Sequence, residues 1–99
     1  MSYGFLPGEL ETILAILKKY PNIAEAILFG SRAMGSQKKG SDVDIAVKGA
    51  DIHTTQISHE LNSESPLPYY FDILDYNSLE SEQLKDHIDR VGTVIYTKQ

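Results

Sequence analysis

The 99-residue sequence contains no cysteine. Disulfides and thiolate metal sites are thereby excluded, and the composition fits a reducing cytoplasm. Nor is there a surplus of positive charge. Lys and Arg number 9 against 14 Asp and Glu, a formal net charge of -5. Phosphate backbones attract basic surfaces, so direct DNA binding and general nucleic-acid binding are not expected, although a local basic site is compatible with that total. Long apolar runs are missing too: no stretch approaches the ~20 apolar residues of a membrane span. The first stretch, "MSYGFLPGELETILAILKK", does not have the form of a signal peptide, because Glu9 and Glu11 interrupt its apolar positions and no basic segment precedes them. Internal repeats, low-complexity tracts and linkers are absent as well. The length suits one domain with a modest core, so a single domain over residues 1–99 is expected.

What is present is the balance of a globular protein, 41% apolar and 23% charged. Leu10, Ile13, Leu14 and Leu17 recur at helical spacing and predict an amphipathic helix over about 7–20, with Pro7 in the first turn and Pro21 as the stop. Residues 23–29 read as a strand ending at a glycine. Residues 32–36 form one helical turn or a tight loop. A second strand is expected over 42–47, then a helix from an Asp51 cap to about Asn62. A third strand covers 69–75, rich in aromatic and β-branched residues. Asn77 or Ser78 caps a last helix that Gly92 ends, and "TVIYT" is a short edge strand or a docked tail. The alternation of helices and strands predicts an α/β (α+β) fold, a small sheet of at least three strands flanked by helices.

One stretch does not fit a purely structural reading: "LFGSRAMGSQKKGSDVDIAV", residues 28–47. Residues two apart on a strand face the same way, so Asp42, Asp44 and Ala46 share one face and Val43, Ile45 and Val47 the other. The valine–isoleucine face belongs in the core. The opposite face carries two carboxylates side by side, which repel and push one of the pair toward protonation. A divalent cation such as Mg²⁺ removes that conflict, since it takes oxygen ligands from one or two carboxylates plus substrate phosphates. The plain alternative is that both acids are solvated at a strand edge, or that Asp42 closes a turn after Gly40 and Ser41. Upstream, Gly30 and Ser31 stand between a strand and a helical turn. Free N–H groups and a hydroxyl there can cradle phosphate oxygens, and glycine lets the backbone approach them closely. Arg32, Lys38 and Lys39 add positive charge nearby. A Gly-Ser turn alone says little; joined to Asp-x-Asp after 10 intervening residues it is a specific signal.

The segment "GSRAMGSQKKGSDVDIAV" resembles the signature of the polymerase-beta-type nucleotidyltransferase superfamily, and the short chain resembles its minimal nucleotidyltransferase branch, found as antitoxins beside HEPN-domain toxins. The resemblance implies a mixed sheet with flanking helices, the nucleotidyltransferase fold. It implies transfer of a nucleoside monophosphate, AMP from ATP, to a hydroxyl, helped by two metal ions, expected to be Mg²⁺. Carried over by residue, Gly30, Ser31, Arg32 and Ser41 would bind the nucleotide, and Asp42 and Asp44 would hold the metals. The third carboxylate of the family is placed at Asp72 in "YYFDILDY". Asp75 competes with it, but Asp72 lies mid-strand, where an acid is costly without a partner, and Asp75 at the strand end, where an acid is ordinary. Many members of the family carry a second basic residue where this chain has Met34; Lys38 and Lys39 are candidates to compensate.

Other residues are expected to be structural. His53, His59 and His87 lack ligand spacing with one another. Tyr69, Tyr70 and Tyr76 read as packing residues, and Lys85, Asp86, Asp89 and Arg90 as a solvated helix face. The resemblance implies a protein partner, a HEPN-type toxin modified by AMP on a hydroxyl, that of a tyrosine near its active site, and a hetero-oligomer of the two proteins. The competing readings are a non-catalytic module that neutralises its partner by contact, and a nucleotidyltransferase acting on a small molecule or RNA.

Overall fold

The computed structural model describes residues 3–35 and 42–98. Helix α1 (Glu9–Leu17) leads to strand β1 (Ile23–Phe29) and a single helical turn, α2 (Ser31–Met34). Strand β2 (Val43–Gly49) follows, then α3 (Thr54–His59), which continues as a π-helical turn over Glu60–Glu64. Strand β3 (Phe71–Asp75), a 3₁₀ turn (Tyr76–Ser78), α4 (Glu82–Val91) and β4 (Thr93–Thr97) complete the order. The four strands form one mixed sheet in the order β3-β2-β1-β4. β1 runs antiparallel to both β2 and β4, while β2 and β3 run parallel. No helix among the described residues is long and apolar enough to cross a membrane.

The period of two in β2 decides the layering. Val43, Ile45 and Val47 are fully buried against α1, α3 and the π-helical turn, where Ile13, Leu17, Ile57 and Leu61 meet them. β1 keeps Ala26 and Leu28 on the same side. A register shift between Ile23 and Glu25 returns Ile23 to that side too, as an extra residue in one strand of a pair does. The opposite side of the sheet is thinner. Ile27, Phe29, Ala46 and Ile88 form a small cluster under α4. The wide cluster supplies most of the burial, and the thin one leaves room beside it.

Several helix boundaries differ from the sequence reading. α1 begins at Glu9, behind a Gly8 cap with φ +89°, so Pro7 lies just outside the helix. Asp51 does not cap α3. Its backbone is left-handed, φ +52°, and the helix starts at Thr54. Ser81, rather than Asn77 or Ser78, caps α4 by accepting a hydrogen bond from the Leu84 N–H at 3.1 Å. Gly92 ends α4 in extended rather than left-handed conformation. Glycine is required there by space: a Cβ would stand 2.5 Å from Ile27 Cγ2 and 2.4 Å from the Ile88 carbonyl oxygen. "TVIYT" is an edge strand paired to β1.

Candidate active site

The site forms where β1 ends and β2 and β3 begin. β1 runs straight into Gly30, whose φ of +76° lies in the region that L-residues avoid. A Cβ at this position would fall 2.4 Å from Asp44 Oδ2. Glycine is therefore demanded twice, by the turn and by the carboxylate packed against it. Ser31 then opens α2, which the Met34 N–H closes on the Gly30 carbonyl at 3.2 Å.

Pairing in the sheet brings the acids together. Asp44 stands opposite Phe29 on one side and Asp72 on the other. Paired residues project from the same face, so the Asp44 and Asp72 carboxylates are neighbours across strands about 4.8 Å apart. Asp42, exposed, precedes Asp44 by two residues and shares its face. Burial of the Asp44 carboxyl raises its pKa above the ordinary value. The negative charges of Asp72 and Asp42 raise it further, and His87 opposes them. The sequence reading placed these three acids in one site, and the structure gathers them on one face of the sheet.

An oxygen-only donor set with an unresolved charge conflict fits a hard divalent cation. Among the described residues no three acidic, histidine or cysteine side chains form a ready-made metal cage. An ion held here would need further oxygens from a phosphate-bearing substrate or water, the usual coordination of Mg²⁺.

Asp75 has a different task. Its carboxylate accepts hydrogen bonds from the Asn77 N–H at 3.2 Å and the Ser78 hydroxyl at 2.9 Å, and so fastens the 3₁₀ turn after β3. Arg32, which the resemblance assigned to the nucleotide, sits beneath the turn. It is only 3% exposed. Its guanidinium lies over the rings of Phe5 and Tyr69, 4.9 and 4.5 Å from their centroids, and donates to the Tyr3 carbonyl at 3.0 Å. Held between two rings, it braces α2 against the amino-terminal segment. Ser41, Lys38 and Lys39 lie outside the described residues. Tyr69 is a packing residue, as expected; its hydroxyl donates to Glu9 at 2.5 Å.

His87 was read from the sequence as a structural residue. It meets Phe29 edge-on, with centroids 6.3 Å apart, and is near enough to oppose, as the smallest contribution, the rise in the Asp44 pKa. The signal was available: Leu84, Ile88 and Val91 make an apolar stripe on α4, and His87 occupies a place within it at helical spacing.

Residues 11–99 match the family described as polymerase beta, nucleotidyltransferase. The chain belongs to that nucleotidyltransferase family. Members of the family generally use divalent metals, in keeping with the donor set above. Among curated nucleotidyltransferases, the chain is 34% identical over 94 residues to the Haemophilus influenzae protein named "Probable protein adenylyltransferase MntA", covering 92% of this chain and 82% of that protein. Among solved structures, it is similar to a chain of a toxin–antitoxin with AMP-PNP, with a TM-score of 0.77 and 28% identity over 92% of this chain and 75% of that one. It is also similar to a chain of the tri-AMPylated Shewanella oneidensis HEPN toxin in complex with its MNT antitoxin, with a TM-score of 0.68 and 25% identity over 91% of this chain and 71% of that one. The nucleotidyltransferase fold expected from the sequence, a small mixed sheet with flanking helices, is the fold observed.

Proposed function

We propose that this chain is an adenylyltransferase antitoxin: it transfers AMP from ATP to a hydroxyl, on a tyrosine, of a HEPN-type toxin with which it assembles. The observation that carries the proposal is the placement of a bare glycine turn against Asp44, with Asp72 in register on the next strand. The likeness to a probable protein adenylyltransferase, to a chain of a toxin–antitoxin with AMP-PNP and to a chain of an AMPylated HEPN toxin–MNT antitoxin complex supports the choice of nucleotide and acceptor.

The roles follow from position. Gly30 lets the triphosphate approach the backbone without a side chain between them, and the Ser31 hydroxyl donates to a phosphate oxygen. Asp42, Asp44 and Asp72 would hold two Mg²⁺ ions, which supply charge neutralisation for the triphosphate and for the attacking and leaving oxygens. Asp72 accepts the proton of the attacking hydroxyl. The new bond joins the acceptor oxygen to the α-phosphorus, the bond from that phosphorus to the bridging oxygen breaks, and pyrophosphate leaves. AMP on the acceptor adds bulk and negative charge, which opposes RNA entry to a ribonuclease site by occlusion and repulsion.

The test uses the purified chain, ATP, Mg²⁺ and the protein encoded by the adjacent reading frame. Mass spectrometry should find adenylyl groups on that protein, and it should stay inactive after the antitoxin is removed. Inhibition that needs continuous stoichiometric contact, and that an Asp42→Asn chain delivers equally well, would establish the non-catalytic binding module instead. Labelling of a small molecule or RNA in place of the protein would redirect the acceptor.

A further inference from the structure

In-line displacement fixes a direction of approach. Gly30 lies at the end of β1, Asp44 on β2 and Asp72 on β3, and the three strands are adjacent in that order. With the triphosphate on the Gly30 side, pyrophosphate departs toward β1. The attacking oxygen must enter from the opposite side, across β3. β3 is an edge strand.

The outer edge of β3 is partly sealed and partly open. The Tyr70 carbonyl accepts from the Val43 N–H at 2.9 Å, so the peptide groups of Tyr70, Asp72 and Leu74 face β2. Those of Phe71, Ile73 and Asp75 therefore face outward. Phe71 is satisfied by one side chain. Its N–H donates to Asn62 Oδ1 at 2.7 Å, and its carbonyl accepts from Asn62 Nδ2 at 3.0 Å. The same Nδ2 donates to the Ser58 hydroxyl at 3.0 Å, which holds the amide in this orientation. Asn62 thus stands in for one residue of a missing neighbour strand. Beyond it, the Ile73 N–H and carbonyl have no partner among the described residues, although the Ile73 side chain is buried on the other side of the strand. They open on a polar groove of about 420 Å³ between β3 and the α3 segment, lined by Thr55, Ser58, His59, Ser63 and Asp72.

We propose that this groove is the acceptor-docking site: an extended segment of the acceptor protein pairs with the open edge of β3 at Ile73 and presents its hydroxyl to Asp72. The inference rests on the adenylyltransferase reading above. A buried or covered edge with unpaired backbone groups is costly, and edge strands that stay open are templates for another chain. The groove offers hydroxyls, an amide and an imidazole rather than apolar pockets, which suits the backbone and polar side chains of an extended peptide. A residue paired beside Asp72 projects from the same face as Asp72 and Asp44. Reaching past Asp72 toward Asp44 then spans about one further strand spacing of ~4.8 Å, a distance that a tyrosine covers and a serine does not.

Hydrogen exchange of the whole chain tests this at the Ile73 amide, with AMP-PNP and the protein encoded by the adjacent reading frame as probes. The amide should exchange quickly in the free chain and with AMP-PNP alone, and slowly once the acceptor protein is added. Thr55→Trp and Ser63→Trp, both on the exposed rim, should raise the KM for the acceptor by about tenfold while AMP-PNP affinity stays within about twofold. Transfer of AMP with Ile73 still exchanging freely would overturn the docking edge and leave the adenylyltransferase reading intact. Protection of Ile73 by the acceptor without any transfer would support the edge and overturn that reading. Protection by AMP-PNP alone would make the groove a nucleoside site, and protection that follows the concentration of the chain itself would make it a contact between copies; either overturns the proposal.

Discussion

Val43, Ile45 and Val47 look into one side of the sheet, and Asp42, Asp44 and Ala46 into the other. The first set is fully buried under α1 and α3. The second begins in solvent at Asp42 and passes through the half-buried Asp44, reaching a small apolar cluster only at Ala46. The same strand therefore serves two ends with alternate residues. One face supplies the hydrophobic burial that holds the domain together. The other holds like charges together at a cost, because Asp44 is partly desolvated beside Asp72 and Asp42. A small domain can keep such a cluster only if the opposite face carries the fold.

That division predicts opposite responses in activity and stability, and the largest effect is on activity. Asp44→Asn should lower the rate of transfer by ~10³-fold or more, the scale of losing an essential charge-stabilising group. It should also make the metal-free domain more stable at neutral pH. The sign is fixed by the raised pKa. The folded chain binds Asp44's proton more tightly than the unfolded chain, so stability falls as pH rises from the ordinary carboxylate pKa to the raised one, and the deficit persists above it. Asparagine has no charge to conflict. Thermal melts in a chelator should show the variant ahead of the parent at pH 7 and level with it below about pH 4. A loss of stability at pH 7 would mean that the acids support the fold.

Ile45→Ala tests the other face. Ile45 is fully buried, and deleting its side chain should cost about 2–5 kcal/mol of stability. Below the melting transition the rate should hold, because the acids keep their register. Urea unfolding and initial rates on the same preparation separate the two quantities.

How much of this was visible beforehand follows from period and range. The strands were legible because alternation is a local signal. β1 was placed at 23–29, where it is found, and the two-residue spacing of Asp42 and Asp44 put both acids on one face. The register of Asp72 against Asp44 was supplied by family resemblance, since no local pattern encodes which residue of a third strand stands beside a second. Helix ends were less legible. Asp51 has the chemistry of a cap, but its left-handed backbone precedes the helix by several residues. The burial of Arg32 was illegible for a reason of range. A cation beside a Gly-Ser turn reads as a phosphate contact, whereas the rings that enclose it come from Phe5 and Tyr69, distant in sequence on either side. Asn62 was hidden in the same way, as its role depends on β3 having no outer neighbour strand among the described residues.

Gly30→Ala joins the two properties at one position and should be weaker than either change above. The backbone there, φ +76° and ψ -155°, lies in a region essentially confined to glycine, and a Cβ would press on the Asp44 carboxylate. The conformational cost alone is about 1–3 kcal/mol. Relieving the contact requires the Asp44 side chain to move, so the apparent KM for ATP should rise together with the loss of stability. A variant that melts earlier and keeps its KM would separate the turn from the nucleotide site.

The smallest expected effect lies on the well-buried side, where a polar strap ties the end of α1 to the π-helical turn. The Tyr20 hydroxyl donates to Glu60 at 2.6 Å, and Lys19 pairs with the same carboxylate. Burial, then the hydrogen bond to Glu60 and its charge, push the Tyr20 phenol up to about 12. Lys19, then Tyr20, hold the Glu60 carboxyl below its ordinary value. Tyr20→Phe leaves Glu60 with Lys19 in a setting that water reaches, so the cost should be about 1 kcal/mol, below the ~1.5–3 kcal/mol of a hydrogen bond to a charge shielded from solvent. Because the folded pKa exceeds the unfolded one, the phenol's contribution is complete below about pH 10 and disappears as pH rises toward 12. The gap in melting temperature between parent and Tyr20→Phe should therefore be constant from pH 7 to 9 and close above pH 10. The rate of AMP transfer at pH 7 should be the same for both chains, since the strap stands on the face away from Asp44. A Tyr20→Phe chain that loses activity without losing stability would show that the two faces of the sheet are coupled.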